Sequence, residues 1–499
     1  MNESKAISIS KMPSKVIDTN NLSPEQKYAY DKFTQGENLF ITGPGGTGKT
    51  CLVKYLLEHA KTAEKNIQVC AMTGCAAVLL QCNARTLHSW SGIKLAKGPK
   101  DKIIDSVLRN KRIMKVWRSV KCLILDEISM LSKKIFELIE EIARLARKSS
   151  AVFGGLQVIF IGDFYQLPPI GNSGETDSEK FCFESPIWYN VFKMSNHIEL
   201  KKIFRQNDPI YIDILMKIRK GHLDGDSIKL LQTYVNREYD SSKHNGCVPT
   251  KLFALRAKAD FVNSQMFSKI QEQELVSEVI YKNDCKTYLE SGKIISLELL
   301  DKCDKLSMSE KEYEMENLVN STPCMKLLRL KKGAVVMCTV NLDMDNSICN
   351  GSQGVVIDII NEKTPIPVVK FSNGIIKRIS PHYWQSEEYP MFAVAQYPLC
   401  LAWALTIHKI QGATLGLAEM DIGQTIFEYG QTYVALSRIQ SLDGLYLSAF
   451  NPQKIMANPI VNQFYDNIPK ELFMDKPVIK NEELVEEEYK ETTTKIIKI

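Results

Sequence analysis

The octapeptide GPGGTGKT, Gly43–Thr50, constrains the fold of this chain more than any other stretch. It satisfies the pattern G-x-x-x-x-G-K-[ST] in full, follows the apolar run ENLFITG and opens the helical pattern KTCLVKYLLEHAKTA. Strand, glycine loop and helix in that order let bare backbone N–H groups curl around phosphate oxygens at a helix N-terminus. Gly43, Pro44, Gly45, Gly46, Thr47 and Gly48 would form the cradle, Lys49 would reach the terminal phosphates, and the Thr50 hydroxyl would ligate Mg2+. An ordinary glycine turn needs neither the lysine nor the flanking strand and helix.

A nucleotide loop needs carboxylates beside it, and the sequence supplies them. LILDEIS, Leu123–Ser129, is an apolar strand that ends in Asp126 and Glu127. Asp126 suits Mg2+ ligation, often through water, and Glu127 suits orientation or deprotonation of an attacking water. VIFIGDFYQLPPI, 158–170, is a further apolar run, ending in Gly162-Asp163 with Gln166 just before Pro168-Pro169. If its strand neighbours the loop strand, Gln166 can contact a γ-phosphate or the attacking water. Asp163 would support the metal shell or hold the loop; the bland alternative is a rigid connector stiffened by prolines.

The alternation of strands and amphipathic helices, such as SKKIFELIEEIARLARK, predicts an α/β fold with a largely parallel sheet. A chain of 499 residues exceeds one ordinary core. Residues 1–20 read as a flexible arm, and 21–190 as the first α/β domain with a basic, helix-prone excursion at 93–120. Residues 191–455 read as a second domain carrying a β-rich insertion at about 350–395, with Asn-Gly turns at 350–351 and 373–374. Residues 265–325 are charged and carry little pattern, and 456–499 read as a charged, mobile tail. A net charge of +5 permits a nucleic-acid partner without demanding one. The 13 cysteines form no regular framework, which suits buried thiols in a reducing, intracellular setting: nucleus, cytoplasm or a viral replication site. No stretch approaches about 18 uninterrupted apolar residues, so no membrane span is expected.

With these motifs in order, the chain resembles the Pif1-like DNA helicases of helicase superfamily 1, group B, over about residues 22–445. LSPEQ resembles the family's glutamine motif, TGCAA and RTLHSW its early segments, and GDFYQLPPI its third motif. FRQ, LAWALTIHKIQGATL and YVALSRIQS resemble its fourth to sixth. The resemblance implies two RecA-like P-loop domains with ATP between them, a small 1B insertion and an SH3-like 2B insertion. It implies that Gln26 reads the adenine, that Arg205 and Arg438 complete the site at the γ-phosphate, and that Gly412 lies in a tight loop nearby. Thr73, Gly74, Ala76, His88, Thr406, His408 and Lys409 match positions near the DNA strand, although a lone histidine is more often structural. Asn83 and Arg85 depart from the small residues more usual there.

The implied activity is an ATP-dependent 5′-to-3′ DNA helicase acting on single-stranded and tailed duplex DNA in replication, recombination or repair. It would work as a monomer with replication or repair proteins as partners. Two other readings stay open: a nucleic-acid-stimulated ATPase without strand separation, and an RNA helicase.

Overall fold

Ser23 caps the first helix, Pro24–Thr34, through a reciprocal capping box with Gln26 and a proline in the first turn, as LSPEQ predicts. The computed structural model describes residues 19–469 apart from 241–247, 285–300 and positions 81, 83, 95, 173, 302, 344, 345, 347, 349, 363, 387, 388 and 390. The expected arm, apart from residues 19 and 20, Asn83 and residues 470–499 thus lie outside the described residues.

The first sheet has six strands: β1 (Leu39–Thr42), β2 (Ile67–Ala71), β3 (Arg85–Thr86), β4 (Cys122–Asp126), β5 (Gln157–Ile161) and β6 (His197–Glu199). Their order is β3-β2-β4-β5-β1-β6 and every pairing is parallel. β1, β4 and β5 are buried throughout, which is why they read as continuous apolar runs. Successive residues still point to opposite faces. Leu39, Ile41, Ile124 and Ile159 join the core beneath helices Pro24–Thr34 and Lys49–Thr62. Phe40, Leu123, Leu125 and Phe160 join the larger core on the other face, with helix Lys133–Arg147. The order β4-β5-β1 sets the Asp126, Gln166 and glycine loops side by side at the carboxyl edge.

The excursion at 93–120 forms helices Lys100–Arg109 and Lys111–Ser119, divided at Asn110, whose side chain caps the second. Trp117 is fully buried against Trp90 at 4.5 Å between rings, so the excursion is anchored in the first core. The domain boundary expected at 190 is corrected, because β6 pairs with β1 and extends the first sheet to Glu199. Three residues are too few to leave a periodic signal.

The second sheet is parallel, with strands ordered Ala404–Thr406, Thr250–Phe253, Ala418–Ile422 and Leu445–Phe450. Between its first two strands in sequence lies the insertion. Its main part is a five-stranded antiparallel sheet running from Ile376–Arg378 through Ile366–Phe371, Gln353–Ile360 and Val335–Cys338 to Leu399–Leu401. Gly374, at φ +86°, makes the tight turn expected at 373–374. The β-rich region begins earlier than 350, with strand Glu274–Glu278 paired to Leu327–Lys331, and it includes helix Met308–Ser321. Those elements fall where the sequence carries little apolar pattern, since ELVSE is half exposed along its length. The helix did leave a signal, the capping box of Ser307 and Glu310.

The mobile tail expected from residue 456 is also corrected. Asn458 caps a helix, Pro459–Asp466, with Val461, Phe464 and Tyr465 buried. Their spacing is that of one helical face. Phe464 stacks on Phe183 at 4.2 Å and meets Phe40 and Phe164 edgewise or tilted. This helix therefore packs into the first domain. Phe464→Ala is expected to lower the unfolding free energy by about 3 kcal/mol, read from urea unfolding of the full chain.

Candidate active site

Lys49, Asp126, Glu127, Gln166, Arg205 and Arg438 line one cavity of about 380 Å3, together with Gly45, Gly46, Thr47, Gly48, Thr50 and Gly412. Four of these six polar side chains come from the first sheet's loops and two from the segments that follow it.

The glycine loop is shaped by close approach. Gly43, at φ +136°, has the carbonyl oxygen of Leu200 only 2.4 Å from where a Cβ would stand. Gly46, at φ +86°, has the Cβ of Arg205 at 2.6 Å. No larger residue fits either position without moving a neighbouring chain. Thr47 Oγ1 donates to the Pro44 carbonyl at 2.9 Å, and Lys49 Nζ donates to the carbonyls of Gly43 at 2.6 Å and Pro44 at 2.9 Å. Burial lowers the lysine's pKa, while Asp163, Glu127 and Asp126 act to keep it charged.

Asp126 is buried, and its pKa is raised to about 7, first by burial and then by Glu127 beside it. Its Oδ1 accepts the Glu127 N–H at 2.8 Å. Glu127 adopts φ 56° and ψ 43°, a conformation that a non-glycine residue holds only where its surroundings enforce it. Its Oε2 accepts from Gln411 Nε2 at 3.1 Å. Gln166 is buried, and its Oε1 has no hydrogen-bond partner. A buried orphan acceptor on a cavity wall suits a donor brought in by a ligand or its water.

Arg205 Nη1 donates to the Ser437 carbonyl at 3.0 Å, and Arg438 donates to the Val434 carbonyl and to Ser437 Oγ. These acceptors are neutral. Burial, then Arg438, pushes the Arg205 pKa down to about 9, and burial lowers that of Arg438. The two guanidinium tips would each lie 3.6 Å from a Cβ on Gly45. Two cations facing one glycine loop, Arg438 buried and Arg205 partly so, favour an anion between them.

The other expected residues fall into two groups. Gln26 braces the back of the loop: Nε2 donates to the Thr47 and Gly48 carbonyls at 3.2 and 3.4 Å, and Oε1 accepts from Ser23 N. Pro44 and Gly43 receive the lysine. Thr73, Gly74, Ala76 and His88 follow the carboxyl ends of β2 and β3, and Thr406, His408 and Lys409 end or follow strand Ala404–Thr406. They lie outside the cavity lining. Thr73 Oγ1 accepts from Ala76 N, Thr406 Oγ1 accepts from Lys409 N, and His408 stacks on Phe427. Burial lowers the pKa of His88 and of His408.

Sequence reasoning missed several residues. Gln411 holds Glu127, Gln206 holds the arginine segment through the Ser437 and Ile439 carbonyls, and the Tyr433 hydroxyl accepts from Gly45 N. Phe204 lies half exposed at the cavity, with its ring 3.6 Å from a Cβ on Gly48, and offers an apolar platform for a base. Its place beside Arg205 in FRQ is the one sequence signal for it. Asp163 is ion-paired with Arg219 at 2.9 Å, which ties down the loop that carries Gln166.

Fold and site together define a P-loop nucleoside triphosphatase of two RecA-like domains with β-rich insertions. The PIF1-like helicase family model matches residues 21–226, and that of the DNA helicase Pif1 2B domain matches 314–359. The latter overlaps the insertion expected at 350–395 only at its start. The chain is 33% identical over 445 residues to the ATP-dependent DNA helicase Pif1 of Bdellovibrio bacteriovorus, covering 89% of this chain and 91% of that one. It is 32% identical over 452 residues to the ATP-dependent DNA helicase PIF1 of Xenopus laevis, covering 90% of this chain but 65% of that protein. The crystal structure of Pif1 helicase from Candida albicans superposes with a TM-score of 0.68 at 32% identity, over 91% of this chain and 100% of that one. This chain belongs to the Pif1-like helicase family.

Lys49→Ala is expected to lower ATP hydrolysis by roughly 100-fold or more, measured as phosphate release, because it removes the cation at the centre of the loop. Gln166→Ala is expected to lower kcat while nucleotide affinity stays within about threefold, measured by titration with a fluorescent nucleotide.

Proposed function

We propose that this chain is an ATP-dependent DNA helicase that moves 5′ to 3′ along single-stranded DNA and unwinds tailed duplexes, in replication, recombination or repair. The observation that carries the reading is the cavity in which Lys49, Asp126, Glu127 and Gln166 of one sheet meet Arg205 and Arg438 of the next segment. A phosphate chain seated there would touch both domains, so its cleavage would alter the force between them.

The loop N–H groups and Lys49 bind the phosphates, and Phe204 offers the base a face. Glu127, fixed by Gln411, orients the attacking water. Gln166 senses the terminal phosphate, and the two arginines stabilise the charge that develops on it. Asp126 and Thr50 are the residues that would hold Mg2+, whose chemistry is to neutralise phosphate charge. Their fit rests on Asp126 itself, whose burial beside a second carboxylate favours a cation. Among the described residues no group of three or more His, Cys, Asp or Glu side chains could hold a metal alone, so nucleotide oxygens would complete such a site.

The strand would run over the carboxyl edges of both sheets, past Thr73, Gly74, Ala76 and His88 and then Thr406, His408 and Lys409. Contacts there are of the backbone-reading kind. Both arginines belong to the same chain as the glycine loop, which supports a monomer as the working unit. The 5′-to-3′ direction rests on family resemblance, and a monomeric state and a replication or repair role belong to the same proposal.

The test is strand displacement with DNA and RNA duplexes that carry either a 5′ or a 3′ tail. ATP-driven opening of the 5′-tailed DNA duplex is expected. Failure to open any duplex while hydrolysing ATP would favour the remodelling ATPase, and opening of RNA alone would favour the RNA helicase.

A further inference from the structure

The loop that presents Gln166 is gripped from outside its own domain. Asp163 begins that loop and is fully buried. Arg219, the last residue of helix Pro209–Arg219, takes its carboxylate with Nη2 on Oδ1 at 2.9 Å and Nε on Oδ2 at 3.0 Å. The remaining nitrogen reaches Glu199 at 3.3 Å. This helix follows directly on the FRQ segment that carries Arg205. Burial opposes the charge on Arg219, but Asp163 together with Tyr465 and Tyr433 outweighs it, and the guanidinium's pKa is raised.

Tyr465, from helix Pro459–Asp466, reaches the same point. Its hydroxyl lies 2.5 Å from Thr42 Oγ1, accepts the Phe164 N–H at 3.1 Å and donates to Asp163 at 3.3 Å. Thr42 ends β1 and leads into Gly43. One phenol thus touches the entrance of the phosphate loop and the base of the Gln166 loop. Tyr165 and Tyr465 stack at 4.7 Å, and the Arg219 guanidinium packs on both rings at 4.5 and 5.1 Å. Inside the loop, Gln166 N donates to the Asp163 carbonyl at 2.9 Å, so the orientation of Asp163 fixes where Gln166 stands. The backbone of the second domain abuts the loop too, since a Cβ on Gly430 would lie 2.3 Å from the Tyr165 carbonyl oxygen. Helix Gln431–Leu436 then leads from that contact to Ser437 and Arg438.

We infer that Arg219 and Tyr465 are positioning residues for hydrolysis: acting through Asp163, they set the reach of Gln166 into the cavity and tie it to the placement of the second domain. The inference rests on the ATPase reading above. A buried ion pair contributes little net stability compared with apolar packing, but it fixes geometry, because either partner left alone is a buried charge. Arg219→Lys keeps the charge and loses the two-pronged grip. Tyr465→Phe keeps the ring stack and loses the hydroxyl.

The full chain is assayed for ATP hydrolysis with and without an oligothymidylate strand, alongside fluorescent ADP titration and thermal melting. Arg219→Lys is expected to lower kcat about tenfold, and Tyr465→Phe about threefold, with KM and ADP affinity within about twofold. In a Gln166→Ala background neither substitution should lower the residual turnover further, since both act through that side chain. An unchanged kcat, a further loss in the Gln166→Ala background, or a parallel fall of kcat, affinity and melting temperature would each overturn the inference. If Arg219→Lys fails to fold, Tyr465→Phe decides by the same criteria. No hydrolysis by the unsubstituted chain would overturn the function reading instead.

Discussion

Three cationic side chains, Lys49, Arg205 and Arg438, point at one stretch of bare backbone, and most of the architecture serves to hold them there. Cations confined side by side repel and lose hydration, so each is given oxygen acceptors: loop carbonyls for Lys49, and Ser437 and Val434 for the arginines. The acids opposite, Asp126 and Glu127, share the same confined space, and burial pushes the Asp126 pKa to about 7. Three cations thus face two acids across the cavity. Such an arrangement suits a polyphosphate, whose oxygens can meet the cations while a metal ion meets the acids.

The second requirement is that the two halves of this site be joined without being fused. The aromatic cluster around Phe464 secures helix Pro459–Asp466 to the first domain by apolar packing, which is non-directional. The Arg219–Asp163 pair and the Tyr465 hydroxyl are directional and lie nearer the cavity. Packing therefore fixes proximity, and polar contacts fix the angle at which the Gln166 loop is presented.

Legibility in the sequence followed how much of an element's pattern is written locally. The cap at Ser23 and the helix behind the glycine loop depend on neighbours within a few residues; β1, β4 and β5 pair with one another across 35 to 120 residues, but each is a continuous apolar run, and all of these were legible. β6 and the strand Glu274–Glu278 depend on partners 157 and about 50 residues away, Phe40–Thr42 and Leu327–Lys331, and they were not. The helix at Pro459–Asp466 carries local signals, its asparagine cap, its proline and its apolar spacing, but the strongly charged stretch that follows it masks them. Gln26 shows the converse. The resemblance assigns it to the base, while its amide in this structure braces the loop through the Thr47 and Gly48 carbonyls.

The sequence by itself determined the chemistry: a phosphate loop, two acids at a strand end, and a glutamine in a proline-braced loop. Each rests on residue type and local spacing, which fold by short-range rules. The tertiary structure alone brings these groups together, pairs Asp163 with Arg219, and returns helix Pro459–Asp466 to the first domain. Those outcomes depend on burial and on contacts between residues far apart in the chain, such as Thr42 with Tyr465, and no local pattern encodes them.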